Sequence, residues 1–231
     1  LLSLLPAPLT DGAVLTDWRF VPSMQLGGDA FGYYWLDSNT FVFYLVDVSS
    51  HGVGSAMHSV TVMNVLRQRA LPDVDFTNPA GVLASLNARF QMGAHNGLYF
   101  TMWYGVYDTR DRTLTCSSAG HHPAYLVPLD KDAAQPLGPP ALMIGVIPEG
   151  EYETQRTTMP PGASLFVFSD GVFEIVTAEE QRWGIADFLP LLLEPSVPGA
   201  SEPDRIYAAV KKAAKPGPFD DDFSLMAVRF P

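Results

Sequence analysis

The sequence predicts an α+β fold with sheets in the middle and helices outside. Three observations carry that expectation. Runs rich in β-branched and aromatic residues recur at strand length, each bounded by turn residues. Two long stretches, 53–69 and 78–90, repeat their apolar residues at helical spacing. The elements follow the order strands, two helices, strands, two helices, strand.

Taken along the chain, Leu15 to Val21 alternates as a strand, and Pro22-Ser23 ends it. Phe31 to Leu36 and Thr40 to Val46 are two buried-strand runs, and Asp37-Ser38-Asn39 between them is the turn of a hairpin. Val53 to Arg69 reads as a helix through Val53, Ala56, Met57, Val60 and Met63. Val62, Val65 and Leu66 widen the stripe enough to predict a largely buried helix, stopped by Leu71-Pro72. A second helix opens on Asn78 as N-cap with Pro79 at its first position. It carries Val82, Leu83, Leu86 and Phe90 on one face, and Gly93 ends it. Leu98 to Tyr107 and Thr113 to Ser117 form a second hairpin around Asp108–Asp111, followed by a short strand at Ala124–Val127. Residues 137–149 are rich in Pro and Gly and read as a loop suited to be a flap or docking segment, with Leu142 and Met143 exposed. Ser164 to Phe168 is a further buried strand. Phe188–Leu193 and Arg205–Lys212 are the late helices, and Ser224–Phe230 is the closing strand.

At 231 residues the chain could form one large domain or two small ones. No low-complexity stretch divides it, so a single domain over 1–231 is expected. The chain starts at Leu1 without Met, which suggests a fragment of a longer regulator, with 1–12 as leader or linker from an upstream domain. Leu1 to Pro6 lacks the basic flank and length of a signal peptide, and no apolar run is long enough to span a bilayer. The single Cys116 cannot form an internal disulfide, which suits a reducing, cytoplasmic setting. A formal net charge of −11 argues against nucleic acid as a partner; the densest basic cluster is only Lys211, Lys212 and Lys215.

The chemistry-bearing residues are aspartates at strand ends. Asp47 ends the run beginning at Thr40, and Asp29 precedes the run beginning at Phe31. Asp170 follows Phe168-Ser169, and Asp220-Asp221-Asp222 precedes the last strand. Any one of these could simply cap a turn. Four carboxylate sites in the same context, without a Cys or His cluster, describe an all-oxygen site for a hard cation, Mg²⁺ or Mn²⁺ rather than Zn²⁺.

The ordered set of short stretches Gly27-Gly28-Asp29, Asp47-Val48-Ser49-Ser50-His51-Gly52, Tyr104-Gly105-Val106-Tyr107-Asp108, Ala119-Gly120-His121, Ser169-Asp170-Gly171-Val172-Phe173-Glu174 and Asp221-Asp222-Phe223-Ser224-Leu225 resembles the PPM (type 2C) metal-dependent serine/threonine phosphatases, in their bacterial SpoIIE-like branch. The resemblance covers nearly the whole chain. It implies a four-layer α-β-β-α sandwich with the metal site at the edge of two antiparallel sheets. It also implies two Mn²⁺ or Mg²⁺ ions: Asp47 bridging both, Asp29 and the Val48 carbonyl completing one, and Asp170 and Asp221 the other. Asp220 and Asp222 are then solvated or support the ligands from behind. A water shared by two such ions would be activated for attack on phosphorus, so no protein nucleophile is needed.

Some positions depart from the pattern. Ser49 stands where the eukaryotic branch has a His, and Ser50 where a Gly is usual; if that position needs φ > 0, Ser50 is strained. His122 replaces the Asn after Ala-Gly-His. His51 and Ser49 are candidate substrate contacts. No Arg clearly matches the eukaryotic phosphate-binding one, Arg19 being nearest. The resemblance further implies a phosphorylated protein substrate, such as an anti-sigma factor antagonist in partner switching. It implies gating of the helix that carries Met57 and Met63 by an upstream sensory or receiver domain of a two-component regulator, with homodimerisation as one route. The competing reading is a degenerate phosphatase fold serving as a protein-binding adaptor, which would be expected to lose metal aspartates that this chain keeps.

Overall fold

The computed structural model describes residues 2–231, and they fall into two compact units. The first comprises residues up to Pro6, Leu26–Ala124 and Leu137–Met159, and the second Ala7–Gln25, Tyr125–Pro136 and Pro160–Pro231. Ten strands and four α-helices are present among the described residues, in the predicted order.

In the first unit a five-stranded antiparallel sheet runs β2 (Asp29–Trp35), β3 (Thr40–Val48), β4 (Phe100–Asp108), β5 (Thr113–Ala119) and β8 (Gln155–Thr158). The β2–β3 hairpin forms as expected, with the Asp37 carboxylate accepting from the Asn39 and Thr40 amides across the turn. β3 runs two residues past Val46, because Asp47 and Val48 still pair with Thr101 and Phe100 of β4. One sheet face carries Val42, Tyr44, Val46, Met102, Tyr104 and Val106, packed with helices α1 (Val53–Arg67) and α2 (Pro79–Arg89). The other face carries the contacting rings of Phe41, Phe43 and Trp103, all fully buried. Burial on both faces explains why β3 reads as a continuous apolar run rather than an alternating one.

Helix α1 corrects part of the expected stripe. Val53 and Met57 are 66% and 67% exposed, whereas Ser55, His58 and Ser59 are buried beside Ala56, Val62, Met63, Val65 and Leu66. The buried hydroxyls are satisfied locally: Ser55 Oγ donates to Ser49 O and Ser59 Oγ to Ala56 O. His58 packs edge-on against Phe90. With the hydroxyl costs met, and with His58 Nε2 buried without a hydrogen-bond partner, helical spacing alone could not tell which side of the helix was the inner one. The helix also stops before Leu71-Pro72, at Arg67 with Gln68 as its C-cap; just beyond, the φ of 52° at Arg69 lets the Ala70 amide bond back to Val65 O. Asn78 and Pro79 start α2 as predicted, the Asn78 side chain accepting from the Gly81 amide.

The stretch 137–149 is not a free flap. Ile144 is fully buried and exchanges hydrogen bonds with Phe100, the Gly145 amide donates to Asn87 Oδ1, and Gly120 donates to Ala141 O. Leu142 is exposed, as expected, but Met143 is only half-buried. Strand β8, Gln-Arg-Thr-Thr, has no apolar signal and exists through pairing with β5.

The second unit holds the other five-stranded sheet, apart from its end residues Ala124 and Leu137: β1 (Leu15–Val21), β10 (Phe223–Phe230), β9 (Ala163–Phe168), β6 (Ala124–Val127) and β7 (Gln135–Leu137). Its core joins Phe166, Phe168, Phe223 and Leu225 to Phe188 and Leu192 of α3 (Ile185–Leu193) and to Ile206 and Val210 of α4 (Glu202–Ala213). Among the described residues no helix is long and apolar enough to cross a membrane. Cys116 is buried and unpaired, and burial pushes its thiol up to about 12, which fits a core residue rather than a nucleophile.

Candidate active site

In the first unit the hairpin sets two carboxylates opposite each other. Asp29 is the first residue of β2 and pairs in register with Asp47, one residue from the end of β3. Asp29 is 2% exposed and Asp47 half-buried. Gly28 makes the approach possible: a Cβ there would lie 2.6 Å from Val48 O and 2.8 Å from Val48 Cβ. The Val48 amide donates to Gly28 O, and the Gly52 amide donates to Leu26 O, which ties the β3–α1 loop to the start of β2. Within that loop Ser50 has φ 70°, the conformation for which Gly is usual, so the strain foreseen at Ser50 is present. Ser49 is fixed on three sides. Its amide donates to Tyr99 O, its Oγ accepts from the Tyr99 amide, and its carbonyl accepts from Ser55 Oγ. His51 is exposed on the same loop.

In the second unit the acids come from a turn and a loop. Asp170 opens a 3-10 helix, Asp170–Val172, directly after β9. Burial raises its carboxyl above the ordinary range, and the charge of Glu174, one turn on, pushes the same way. Gly171 is again the residue of closest approach: a Cβ would meet Asp222 O at 2.2 Å and Asp221 Cβ at 3.2 Å. The Asp222 amide donates to Asp221 Oδ1 at 2.7 Å and so orients that exposed carboxylate. Asp222 itself is 1% exposed, which corrects the expectation of a solvated residue and leaves the supporting role. Its Oδ1 accepts from the Ser23 amide, its carbonyl accepts from Ser169 Oγ, and its buried Oδ2 has no hydrogen-bond partner. Asp220 is exposed and lies 3.8 Å from Lys215. A cavity of about 460 Å³ in this unit is lined by Asp170, Glu174, Arg182, Trp183, Asp220 and Asp221, among others.

The structure thus pairs Asp29 with Asp47 and brings Asp170 and Asp221 to one cavity wall. Among the described residues no group of three or more His, Cys, Asp or Glu forms a ready metal cluster. The donor chemistry nonetheless fits a hard divalent cation: carboxylate oxygens throughout, one of them in the buried Asp29 directly across from a second carboxylate. Of the helix residues expected to regulate, Met57 is exposed and Met63 fully buried. Arg19 is engaged elsewhere, 3.1 Å from Asp204 and stacked over Tyr207. Glu174 is the site residue without a role in the sequence reading, although its i+4 spacing from Asp170 is a signal. For Asp222 the sequence leaves the solvated and supporting readings open, because burial separates it from Asp220 and Asp221 only in the folded chain.

The description Stage II sporulation protein E (SpoIIE) matches residues 37–231, which takes in Asp47, Asp170 and Asp221. The chain belongs to the SpoIIE family. It is 25% identical over 210 residues to the phosphoserine phosphatase RsbU of Bacillus subtilis, covering 90% of this chain and 61% of that protein. The chain spans between 32% and 61% of the length of the curated relatives it matches. Among solved structures, the SiaA-PP2C domain of Pseudomonas aeruginosa is similar with a TM-score of 0.79 at 21% identity, over 94% of this chain and 86% of that one. RsbX in complex with magnesium is similar with a TM-score of 0.68 at 14% identity, over 97% and 99%. These likenesses show the PP2C fold, and the α+β class expected from the sequence is the one found. The chain is therefore a SpoIIE-family domain with the PP2C fold, in a family that is metal-dependent in general.

Proposed function

We propose that this chain is the catalytic domain of a longer signalling protein that hydrolyses phosphoserine on a regulatory protein, with an anti-sigma factor antagonist as the substrate class. The observation that carries the reading is the in-register pairing of the buried Asp29 with the half-buried Asp47 in a chain of the SpoIIE family. The RsbU relative, named a phosphoserine phosphatase, supports the reaction, and the greater length of the curated relatives supports an attached sensory or receiver domain. Both compact units belong to this one catalytic domain on our reading, since the family match runs through segments of each. The lone, buried Cys116 supports a cytoplasmic setting.

Asp29, Asp47 and the Val48 carbonyl would hold Mn²⁺ or Mg²⁺ from the first unit, and Asp170 and Asp221 from the second, for two ions in all. The magnesium in the RsbX structure is consistent with that choice. Such ions, when bound, activate a water and neutralise phosphoryl charge. The protein's own part is positional. The β2–β3 register holds the Asp29 and Asp47 carboxylates across from each other, and the Asp222 amide fixes one oxygen of Asp221. The Ser49 contacts hold the loop that follows Asp47, and they leave His51 exposed to meet substrate. The exposed Met57 and the buried Met63 would report on, and respond to, displacement of α1 by an attached domain or a second copy.

The test is hydrolysis of p-nitrophenyl phosphate and of a phosphorylated antagonist protein with Mn²⁺ or Mg²⁺ and after chelation. Metal-dependent turnover of both, faster on the protein, is expected. Activity indifferent to chelation would defeat the metal assignment. Equal kcat/KM on the protein and on a short phosphoserine peptide of the same local sequence would remove the protein-recognition part.

A further inference from the structure

We infer that Arg182 is the side chain that binds the phosphoryl group of the substrate. The inference rests on the phosphoserine phosphatase reading and adds the anion-binding residue that reading lacks. A phosphoserine carries roughly two negative charges, and the cavity beside Asp170 and Asp221 also carries Glu174 and Asp220. Glu174 and Asp220 belong to no proposed ligand set, so their charge repels such a substrate. The cavity wall contains one guanidinium, that of Arg182. Arg19, the earlier candidate, is committed to Asp204 and Tyr207. Arg110, Arg156 and Arg205 are paired with Asp108, Asp111 and Glu202. Arg182 has no ion-pair partner among the described residues and is exposed.

The backbone that presents Arg182 is held before any ligand arrives. Arg182 forms an antiparallel bridge with Val176. On either side of it, Thr177 N donates to Gln181 O and Trp183 N to Ile175 O. The buried Thr177 Oγ1 closes the intervening turn by accepting from the Glu179 and Gln181 amides, and Lys215 N donates to Val176 O from outside. Trp183, the next residue, is half-buried and packed against the core of this unit. Little backbone order therefore has to be gained on binding, and the planar guanidinium fork suits two phosphoryl oxygens at once. At about 460 Å³ the cavity lies within the range that holds small ligands, large enough for a phosphoserine side chain and its neighbours.

The experiment compares wild type with Arg182→Ala, Arg182→Lys and Arg182→Glu. The probes are p-nitrophenyl phosphate and a phosphoserine peptide with neutral flanking residues, with Mn²⁺ present. Arg182→Ala should raise KM about tenfold on both probes, as expected for loss of a charge-assisted hydrogen bond. Arg182→Glu should raise it further and Arg182→Lys should recover part, with melting temperature and Mn²⁺ affinity unchanged. Unchanged KM on both probes overturns the inference, and so does a loss confined to a peptide with acidic flanks, which would mean that Arg182 reads a carboxylate. Calorimetric binding of the neutral-flank peptide to wild type and to Arg182→Ala separates the two claims. If wild type hydrolyses neither probe, the phosphatase reading fails, while the ratio of the two affinities still decides Arg182; equal affinities overturn it.

Discussion

The two acid pairs of this protein are built by different physics. Asp29 and Asp47 are placed by a regular antiparallel ladder, where register alone puts one opposite the other. Asp170 and Asp221 have no such ladder between them. They depend on a 3-10 turn, on Gly171 lying against Asp222 O, and on the buried Ser169–Asp222 hydrogen bond behind both. The first pair is rigid because a whole sheet would have to slip to move it. The second is held by a few local contacts, and Asp221 is exposed. A ligand on a ladder should tolerate little, whereas a ligand on a loop should yield to excess metal.

That difference sets the largest expected effect. Asp47→Asn should cost at least about 100-fold in metal-dependent turnover and should not recover with excess Mn²⁺. Asp221→Asn should cost nearer tenfold and recover in part, since losing even a supporting contact of a metal ligand costs about 10–100-fold. Turnover measured across a Mn²⁺ titration gives both numbers, and identical recovery curves would erase the contrast between rigid and yielding pairs.

The next effect is on stability. Gly28→Ala and Gly171→Ala each drive a Cβ into backbone, at 2.6 Å from Val48 O and 2.2 Å from Asp222 O. Overpacking of this kind costs about 1–3 kcal/mol, which should lower the melting temperature by about 2–4 °C per kcal/mol. If only Gly28→Ala destabilises, the turn at Gly171 has more freedom than the close approach implies.

Acid should affect the two units at different pH. Burial lowers the pKa of His58 and His121 in the first unit, and at each a neighbouring imidazole, His95 or His122, adds to the effect. The unfolded chain then binds protons that the folded one refuses. Their stabilising contribution is complete above about pH 6.5 and falls as pH drops below it. In the second unit, burial raises the Glu202 carboxyl, but hydrogen bonds from Arg205, Ser196 and Lys131 outweigh it and the net direction is down. Its contribution is present above the ordinary Glu pKa, about 4.3, and is lost only below that. Hydrogen exchange followed from pH 7 to pH 4 should show amides of the first unit losing protection first. Simultaneous loss in both units would mean that other groups control the acid response.

The smallest effect is at Ser50. Relieving its φ of 70° with Ser50→Gly should raise stability by up to about 1 kcal/mol, read from a denaturant midpoint. A loss instead would show that the Ser50 side chain contributes something the strain conceals.

By itself the sequence determined the elements whose signal is local. The Phe31–Val46 hairpin, the Asn78-Pro79 helix start and the closing strand each follow from residue type and spacing, because turn chemistry and period act over a few residues. It also showed which aspartates lie at strand ends. The tertiary structure decided what depends on partners distant in sequence. β8 is a strand because β5 offers it a ladder, although Gln155-Arg156-Thr157-Thr158 carries no apolar pattern. α1 turns Ser55 and His58 inward and Val53 and Met57 outward because buried hydroxyl and ring contacts are available there. Asp222 differs from Asp220 and Asp221 through its burial and through contacts with Ser169 and with Ser23, the latter 199 residues away. Arg182 faces a cavity only once Val176 pairs with it. A single side chain states its polarity in the sequence, but its burial and its partner are properties of the folded chain.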